Sequence, residues 1–222
     1  MRFAVISDLH FPSRRTRAAA FVAAVVASAT VDFVITPGDL TDSEDAPGAT
    51  CWCIGGSAAE KQLQEYVKLF DAPLHRAGKP VYAVPGNHDA RKWGSSVVDF
   101  VRSRHGSTRY VVLRDGVALV FLGVYPDSAG LAWFASELLA DPALRTTPIA
   151  FFFHYNLEGI MSDWWTKAEK DAFREAIAGL NVLGIFVGHN HVTYSHTWNV
   201  HCTGGDDFWV LVDAVDAALV AL

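Results

Sequence analysis

Five apolar runs rich in β-branched and aromatic residues each stop at an Asp, Asn or His. Arg2–Ser7 leads into Asp8-Leu9-His10, and Asp32–Thr36 into Gly38-Asp39-Leu40-Thr41-Asp42. Pro80–Val84 leads into Gly86-Asn87-His88-Asp89. Pro148–Phe153 is followed by His154, and Val182–Val187 by Gly188-His189-Asn190-His191. Runs of this length and composition read as strands. Helical patterns separate the first three. One is Thr16–Ser28. The other has Leu63, Tyr66, Val67, Phe70 and Leu74 at helical spacing behind Ser57-Ala58-Ala59-Glu60, which has the spacing of a capping box and opens a helix of four turns or so. A β-α-β-α-β opening implies parallel strands joined by crossover helices. Ligand sites in open α/β sheets form at the carboxyl ends of strands, so the five polar stops can converge.

The rest of the chain departs from strict alternation. Ser96-Val97-Val98-Asp99 reads as a helix start. Arg109–Leu113 and Val117–Gly123 read as a hairpin turned at Asp115-Gly116. Leu131–Leu139 has a helical pattern, and Thr166-Lys167-Ala168-Glu169 is a second capping box, opening a helix to about Ala178. Val192–Val200, Phe208–Val212 and Ala217–Leu222 are strand candidates. The fold class is therefore α/β with parallel and antiparallel pairing. A length of 222 residues fits one large domain, 1–222, and 51% apolar residues exclude disorder. The least regular segment, residues 42–56, reads as an exposed loop or lid.

Charge narrows the partners. A net charge of −6 argues against binding duplex nucleic acid or an anionic membrane. It leaves room for a small phosphorylated substrate, because bound metals reverse the sign locally. No run is long and apolar enough to span a bilayer; Ala18–Ala29 is too short and reads as a buried helix. Met1 leads almost directly into Phe3–Ile6 without a charged n-region or cleavage site, so a cytoplasmic location is expected. Cys51, Cys53 and Cys202 make no disulfide framework and read as reduced thiols. The oligomeric state is not legible.

The candidate donors are Asp8, His10, Asp39, Asn87, His154, His189 and His191, all oxygen or nitrogen. Seven side chains exceed what one ion uses, and two ions sharing a carboxylate accommodate them. The donor set suits Mn²⁺, Fe²⁺/Fe³⁺ or Zn²⁺. Gly38, Gly86 and Gly188 each stand just before a candidate donor, where a missing Cβ permits a sharp turn or close approach. In an extended backbone, residues two apart face one side, so His189 and His191 are both expected to point inward.

In this order, D-x-H, G-D-x-x-D, G-N-H-D, an isolated His and G-H-x-H resemble the calcineurin-like metallophosphoesterase superfamily. The resemblance implies a four-layer α/β/β/α sandwich with two mixed β-sheets and a dimetal centre at the strand ends. It implies that Asp8, His10 and His191 bind the first metal, that Asn87, His154 and His189 bind the second, and that Asp39 bridges them. His88 matches the histidine that contacts the phosphate and assists the leaving group, with a metal-bridging hydroxide as nucleophile. Asp42 and Asp89 are candidates to orient histidines or loops. The chemistry implied is hydrolysis of a phosphoric ester, with a phosphodiesterase acting on a small substrate such as a cyclic nucleotide placed first. A phosphomonoesterase is the alternative and a non-catalytic scaffold the last. The tyrosine ligand of purple acid phosphatases has no counterpart in Leu40-Thr41-Asp42. Arg14, Arg15 and Arg17 read as a solvated helix start, with a phosphate contact as the alternative. Residues 155–165 are expected to wall the substrate pocket, with Trp164 and Trp165 in the core, stacking on a base or covering a lipid chain. His75, His105, His196 and His201 match no motif position.

Overall fold

The computed structural model describes residues 1–42, 58–90, 96–159, 161–191, 193–202, 205–214 and 218–221, with the last three segments described as backbone only. Among the described residues, ten strands form two sheets. The first contains β1 (Arg2–Val5), β2 (Phe33–Pro37), β3 (Val81–Val84) and β10 (Ala218–Ala221), in the order β10-β1-β2-β3. β1, β2 and β3 run parallel, and β10 closes the edge antiparallel to β1. The second contains β4 (Arg109–Arg114), β5 (Val117–Leu122), β6 (Ile149–Phe152), β7 (Val182–Val187), β8 (Thr193–Cys202) and β9 (Gly205–Ala214), in the order β4-β5-β6-β7-β9-β8. Its centre, β5-β6-β7-β9, is parallel, and hairpins supply both antiparallel edges.

Alternation along the strands builds the layers. Phe3 and Val5 of β1 face inward, while Ala4 and the following Ile6 face outward. On β6, Ala150 and Phe152 face the first sheet, while Ile149 and Phe151 face the other way. The layer between the sheets is largely aromatic. Phe152 stacks on Phe121 and on Phe186, both at 5.0 Å between ring centroids, and Phe3 meets Phe152 edge-on at 5.9 Å. Outside the first sheet lie α1 (Arg15–Ala27), α2 (Ala58–Tyr66), α3 (Ala72–Arg76) and α4 (Ser96–His105). Outside the second lie α5 (Ser128–Ala140) and α6 (Lys167–Ile177). Helix, sheet, sheet, helix is the expected four-layer sandwich, and both sheets are mixed. A sheet covered on both faces has no polar stripe, which is why β2, β5 and β6 are buried throughout.

Two local features refine the sequence reading. The helix expected after Ser57 continues from Ala58 to Arg76, but Val67–Asp71 widens into a π turn between α2 and α3. Pro73 follows, and its ring and missing N–H disturb the ladder one turn earlier. The capping box at α6 forms as expected: Thr166 accepts from the Glu169 amide, and Glu169 accepts from the Thr166 amide at 2.7 Å. Ser57, Cys51, Cys53 and all of the expected lid beyond Asp42 lie outside the described residues.

Candidate metal centre

All seven expected donors gather where the two sheets meet. Asp8 and His10 follow β1, Asp39 follows β2 and Asn87 follows β3, all on the first sheet. His154 follows β6 and His189 and His191 follow β7, on the second. Six are buried, and His191 stands at the exposed rim. On one side, His191 Nε2 lies 3.3 Å from Asp8 Oδ1 and 3.1 Å from His10 Nε2. On the other, His154 Nε2 lies 3.2 Å from Asp39 Oδ2 and 3.0 Å from Asn87 Oδ1. Asp39 Oδ2 is also 3.7 Å from His10 Nε2, so it stands between the two groups. Asp8, His10 and His191 form one potential metal-holding group and Asp39, His154 and His189 another.

These spacings fit bound ions. Donors about 2.1 Å from a common ion stand about 3.0–3.4 Å apart in octahedral or tetrahedral arrangements. His189 Nε2 is buried with no hydrogen-bond partner, although its residue is only 3% exposed. A buried orphan nitrogen beside carboxylates is costly unless something coordinates it.

The histidines are oriented from behind. His10 Nδ1 lies 3.2 Å from Asp42 Oδ1, and His154 Nδ1 donates to the Pro37 carbonyl at 2.9 Å. Both contacts turn Nε2 toward the centre, as outer partners of metal-binding histidines do. Asp42 is thus the carboxylate behind the His10 ring. Asp89 braces the loops instead. It accepts from the amides of Gly86, Leu40 and Thr41 and from the Thr41 hydroxyl, at 2.9–3.0 Å. The loop that carries Asp39 is thereby tied to the loop that carries Asn87. Arg14 does more than start a helix. It contacts His191 Nδ1 at 2.9 Å and donates to the Asp8 carbonyl at 3.2 Å.

Backbone conformation is the feature that pattern reading missed. Asp8, His10, Asp39, His189 and His191 all have positive φ, between 42° and 81°. The expectation of extended backbone at His189 and His191 is therefore wrong. Asn190 N–H donates to the Gly188 carbonyl across two residues, and both histidines sit in left-handed turns. Such conformations cost about 1–3 kcal/mol each for non-glycine residues and cluster at functional sites. Asp and His are among the residue types enriched there, a signal the residue types themselves carry. The glycines act mainly through close approach. A Cβ on Gly188 would lie 1.9 Å from Ser7 Oγ and 2.6 Å from Asp8 Oδ2, and one on Gly86 would lie 2.1 Å from Asp39 Oδ1.

Without ions, the charges compensate one another. Burial works against a charged His10, but the Asp42 and Asp8 carboxylates outweigh it and raise its pKa to about 9. For His154, burial is likewise overcome, here by Asp39, and the pKa again rises to about 9. Burial and the His154 charge push His189 down to about 4, so it stays neutral with its lone pair available. Asp8 and Asp39 are held below the usual carboxylate range by the facing histidines despite their burial. Burial and neighbouring Asp39 raise Asp89 to about 6.

His88 joins His10 and Asp39 in a third potential metal-holding group. Its amide donates to Asp39 Oδ1 at 2.9 Å and its Nδ1 donates to the Asp42 carbonyl at 3.0 Å. Its Nε2 lies 4.0 Å from Asp39 Oδ2, and its side chain is 30% exposed. It stands beside the donor cluster and is open to solvent.

A family model described as calcineurin-like phosphoesterase matches residues 1–193. The chain belongs to the calcineurin-like phosphoesterase family. It is thus a metal-dependent phosphoric ester hydrolase, of a family that uses a dinuclear divalent metal centre. Among solved structures, it is similar to a dimetal phosphatase from Danio rerio, with TM-score 0.67 and 14% identity over 97% of this chain and 88% of that one. It is also similar to GAP50, the anchor in the inner membrane complex of Plasmodium, with TM-score 0.60 and 12% identity over 96% and 70% of the two chains. A hypothetical protein from Thermus thermophilus aligns with TM-score 0.52 and 14% identity over 96% and 75%. At these identities, the likeness is one of fold. No curated protein matches the sequence.

The remaining expectations for this phosphoesterase divide. Trp165 is a core residue at 2% exposure, whereas Trp164 is 45% exposed. His75 pairs with Asp71 at 3.4 Å and His105 stacks on Tyr110 at 4.5 Å, both away from the centre. The side chains of His196 and His201 lie outside the described residues. Among the described residues, no helix is long and apolar enough to cross a membrane.

Proposed function

We propose that the protein is a phosphodiesterase acting on a small diester, such as a cyclic nucleotide, at a centre of two divalent ions. Asp8, His10 and His191 would hold one ion, Asn87, His154 and His189 the other, with Asp39 shared. The observation that carries this reading is the convergence of seven oxygen and nitrogen donors around Asp39, at spacings that suit two ions. Mn²⁺, Fe²⁺/Fe³⁺ or Zn²⁺ fits the donor chemistry. When bound, the ions would supply positive charge to the phosphoryl group and acidify a water for attack on phosphorus.

The chain's own residues divide the remaining work. Asp42 and the Pro37 carbonyl fix the rings of His10 and His154. Asp89 keeps the Asp39 and Asn87 loops in register. His88 has its Nδ1 proton committed to the Asp42 carbonyl, which directs Nε2 toward the reacting group. There it can contact a phosphoryl oxygen and assist the departing alcohol. Arg14 is engaged with the donor set, through His191 Nδ1 and the Asp8 carbonyl. Phosphomonoester hydrolysis on the same residues is the second reading.

We also read residues 1–222 as one domain, supported by β10 returning to pair with β1, and the protein as cytoplasmic. The test is to strip the protein with chelator, restore Mn²⁺, Zn²⁺ or Fe²⁺, and compare a bis(aryl) phosphate with an aryl monophosphate. Metal-dependent turnover that favours the diester is expected. Turnover of the monoester alone would reverse the preference, and turnover of neither at full metal occupancy would leave a binding scaffold.

A further inference from the structure

Among the described Phe, Tyr and Trp residues, one side chain is exposed, and it stands against the candidate metal centre. Trp164 is 45% exposed, and its ring meets that of His189 at 4.8 Å between centroids and 80° between planes. Tyr155 also approaches His189 at 4.8 Å, and it lies 5.7 Å from Trp164. An edge-on contact with His189 leaves a face of the indole for another ring.

The position of Trp164 is imposed by its neighbour. Trp165 is buried, donates Nε1–H to the Asn156 carbonyl at 2.9 Å, and packs on Phe153 and Tyr125. With Trp165 anchored in extended backbone at the end of the 3₁₀ turn Ser162–Trp164, the preceding side chain is directed outward. The start of that turn is Met161, at φ 62° and 40% exposed. An exposed indole set against His189, on a turn that starts at a left-handed non-glycine residue, points to a role toward substrate. A lone exposed apolar residue elsewhere on the surface needs no such explanation.

We propose that Trp164 is a specificity-determining residue, a stacking platform for a planar aromatic ring carried by the phosphate ester. This rests on the metal-centre reading above. A phosphoryl group held between the two donor groups is flanked on the second side by His189. A ring on its ester oxygen then comes within reach of the indole behind His189. Aryl esters and nucleotides share the required chemistry, a flat π face one short link from phosphorus. Stacking of a base on an aromatic side chain is worth about 1–3 kcal/mol, or roughly five- to 150-fold in affinity.

The test is calorimetric titration of the Mn²⁺-loaded protein with phenylphosphonate and methylphosphonate, neither of which is an ester. The wild type is expected to bind the phenyl compound at least tenfold more tightly. In Trp164→Ala the phenyl-to-methyl affinity ratio should fall at least fivefold, and Trp164→Phe should retain most of it. The manganese content of both variants is measured alongside. An unchanged ratio in Trp164→Ala at full metal content would overturn the platform while leaving the metal centre standing. Failure of the metal-loaded wild type to bind either compound would overturn the centre and the platform together. A parallel titration with the phosphonate analogue of adenosine monophosphate names the source of the ring. Tighter binding than phenylphosphonate assigns a nucleobase, and weaker binding assigns a simple aryl group.

Discussion

At the scale of single residues, the proposed roles separate binding from assistance. His88 lies beside the donor cluster, with its Nε2 4.0 Å from the Asp39 carboxylate, and it is the partly exposed histidine whose Nδ1 proton is held by a carbonyl. His88→Ala is expected to keep both ions, measured by elemental analysis, and to lose about 10²–10⁴-fold in kcat with poor leaving groups. The loss should shrink as the leaving group improves, because a good leaving group needs no proton. Loss of metal in this variant would make His88 a ligand instead. His10 and His154 predict a pH dependence. Their pKa values in the folded, ion-free protein rise to about 9, from an ordinary value near 6.5. A raised histidine pKa stabilises the fold fully below about 6.5, and that contribution is lost as pH climbs through 9. The carboxylates facing them, Asp8, Asp39 and Asp42, stay ionised across this window. His189, at about 4, stays neutral, and Asp89, at about 6, has largely titrated below it. The ion-free protein should therefore melt at lower temperature at pH 9 than at pH 6.5. Ions must displace those two protons, so the Tm gain on adding Mn²⁺ should grow over the same interval. A Tm gain independent of pH would show that His10 and His154 are not the groups displaced.

At the scale of elements, loop ends and helix caps carry separable tasks. Gly188 allows the β7 end to lie against Ser7 and Asp8, with no space for a Cβ on either side group. Gly188→Ala is expected to destabilise the fold by about 1–3 kcal/mol, as overpacking does, and to weaken metal retention. Thr166→Ala removes the α6 capping box away from the donors and should cost about 1 kcal/mol in urea unfolding with metal content unchanged. Parallel effects of the two variants on metal content would deny that the β7 end is special. Much of this was legible in the sequence. The strands, the α6 cap and the hairpin at Asp115-Gly116 follow from local patterning, and the convergence of the seven candidate donors follows from residue type at strand ends. The left-handed turns at five of them were not legible, because periodicity describes regular backbone and these residues terminate it. The π turn before Pro73 was hidden for a related reason: the apolar spacing across it still resembles an ordinary helix. The split between Trp164 and Trp165 also needed the structure, since adjacent residues of one type differ only in what surrounds them.

At the scale of the molecule, the candidate metal centre joins the two sheets. His154, from the second sheet, bonds to Pro37 and Asn87 around the first. The His189 amide, also from the second, donates to both Asp8 oxygens at 3.0–3.2 Å. Ions at this seam would bind donors from both halves of the sandwich, so metal loading should stabilise the whole fold by mass action. Asp39 is the donor on which the two-ion account depends, because it is the carboxylate placed between both groups. The most direct measurement is the number of ions per chain in the wild type and in Asp39→Asn, by elemental analysis of folded, manganese-reconstituted protein. Two ions in the wild type and fewer than one in the variant are predicted. Two ions retained by Asp39→Asn would contradict a shared Asp39.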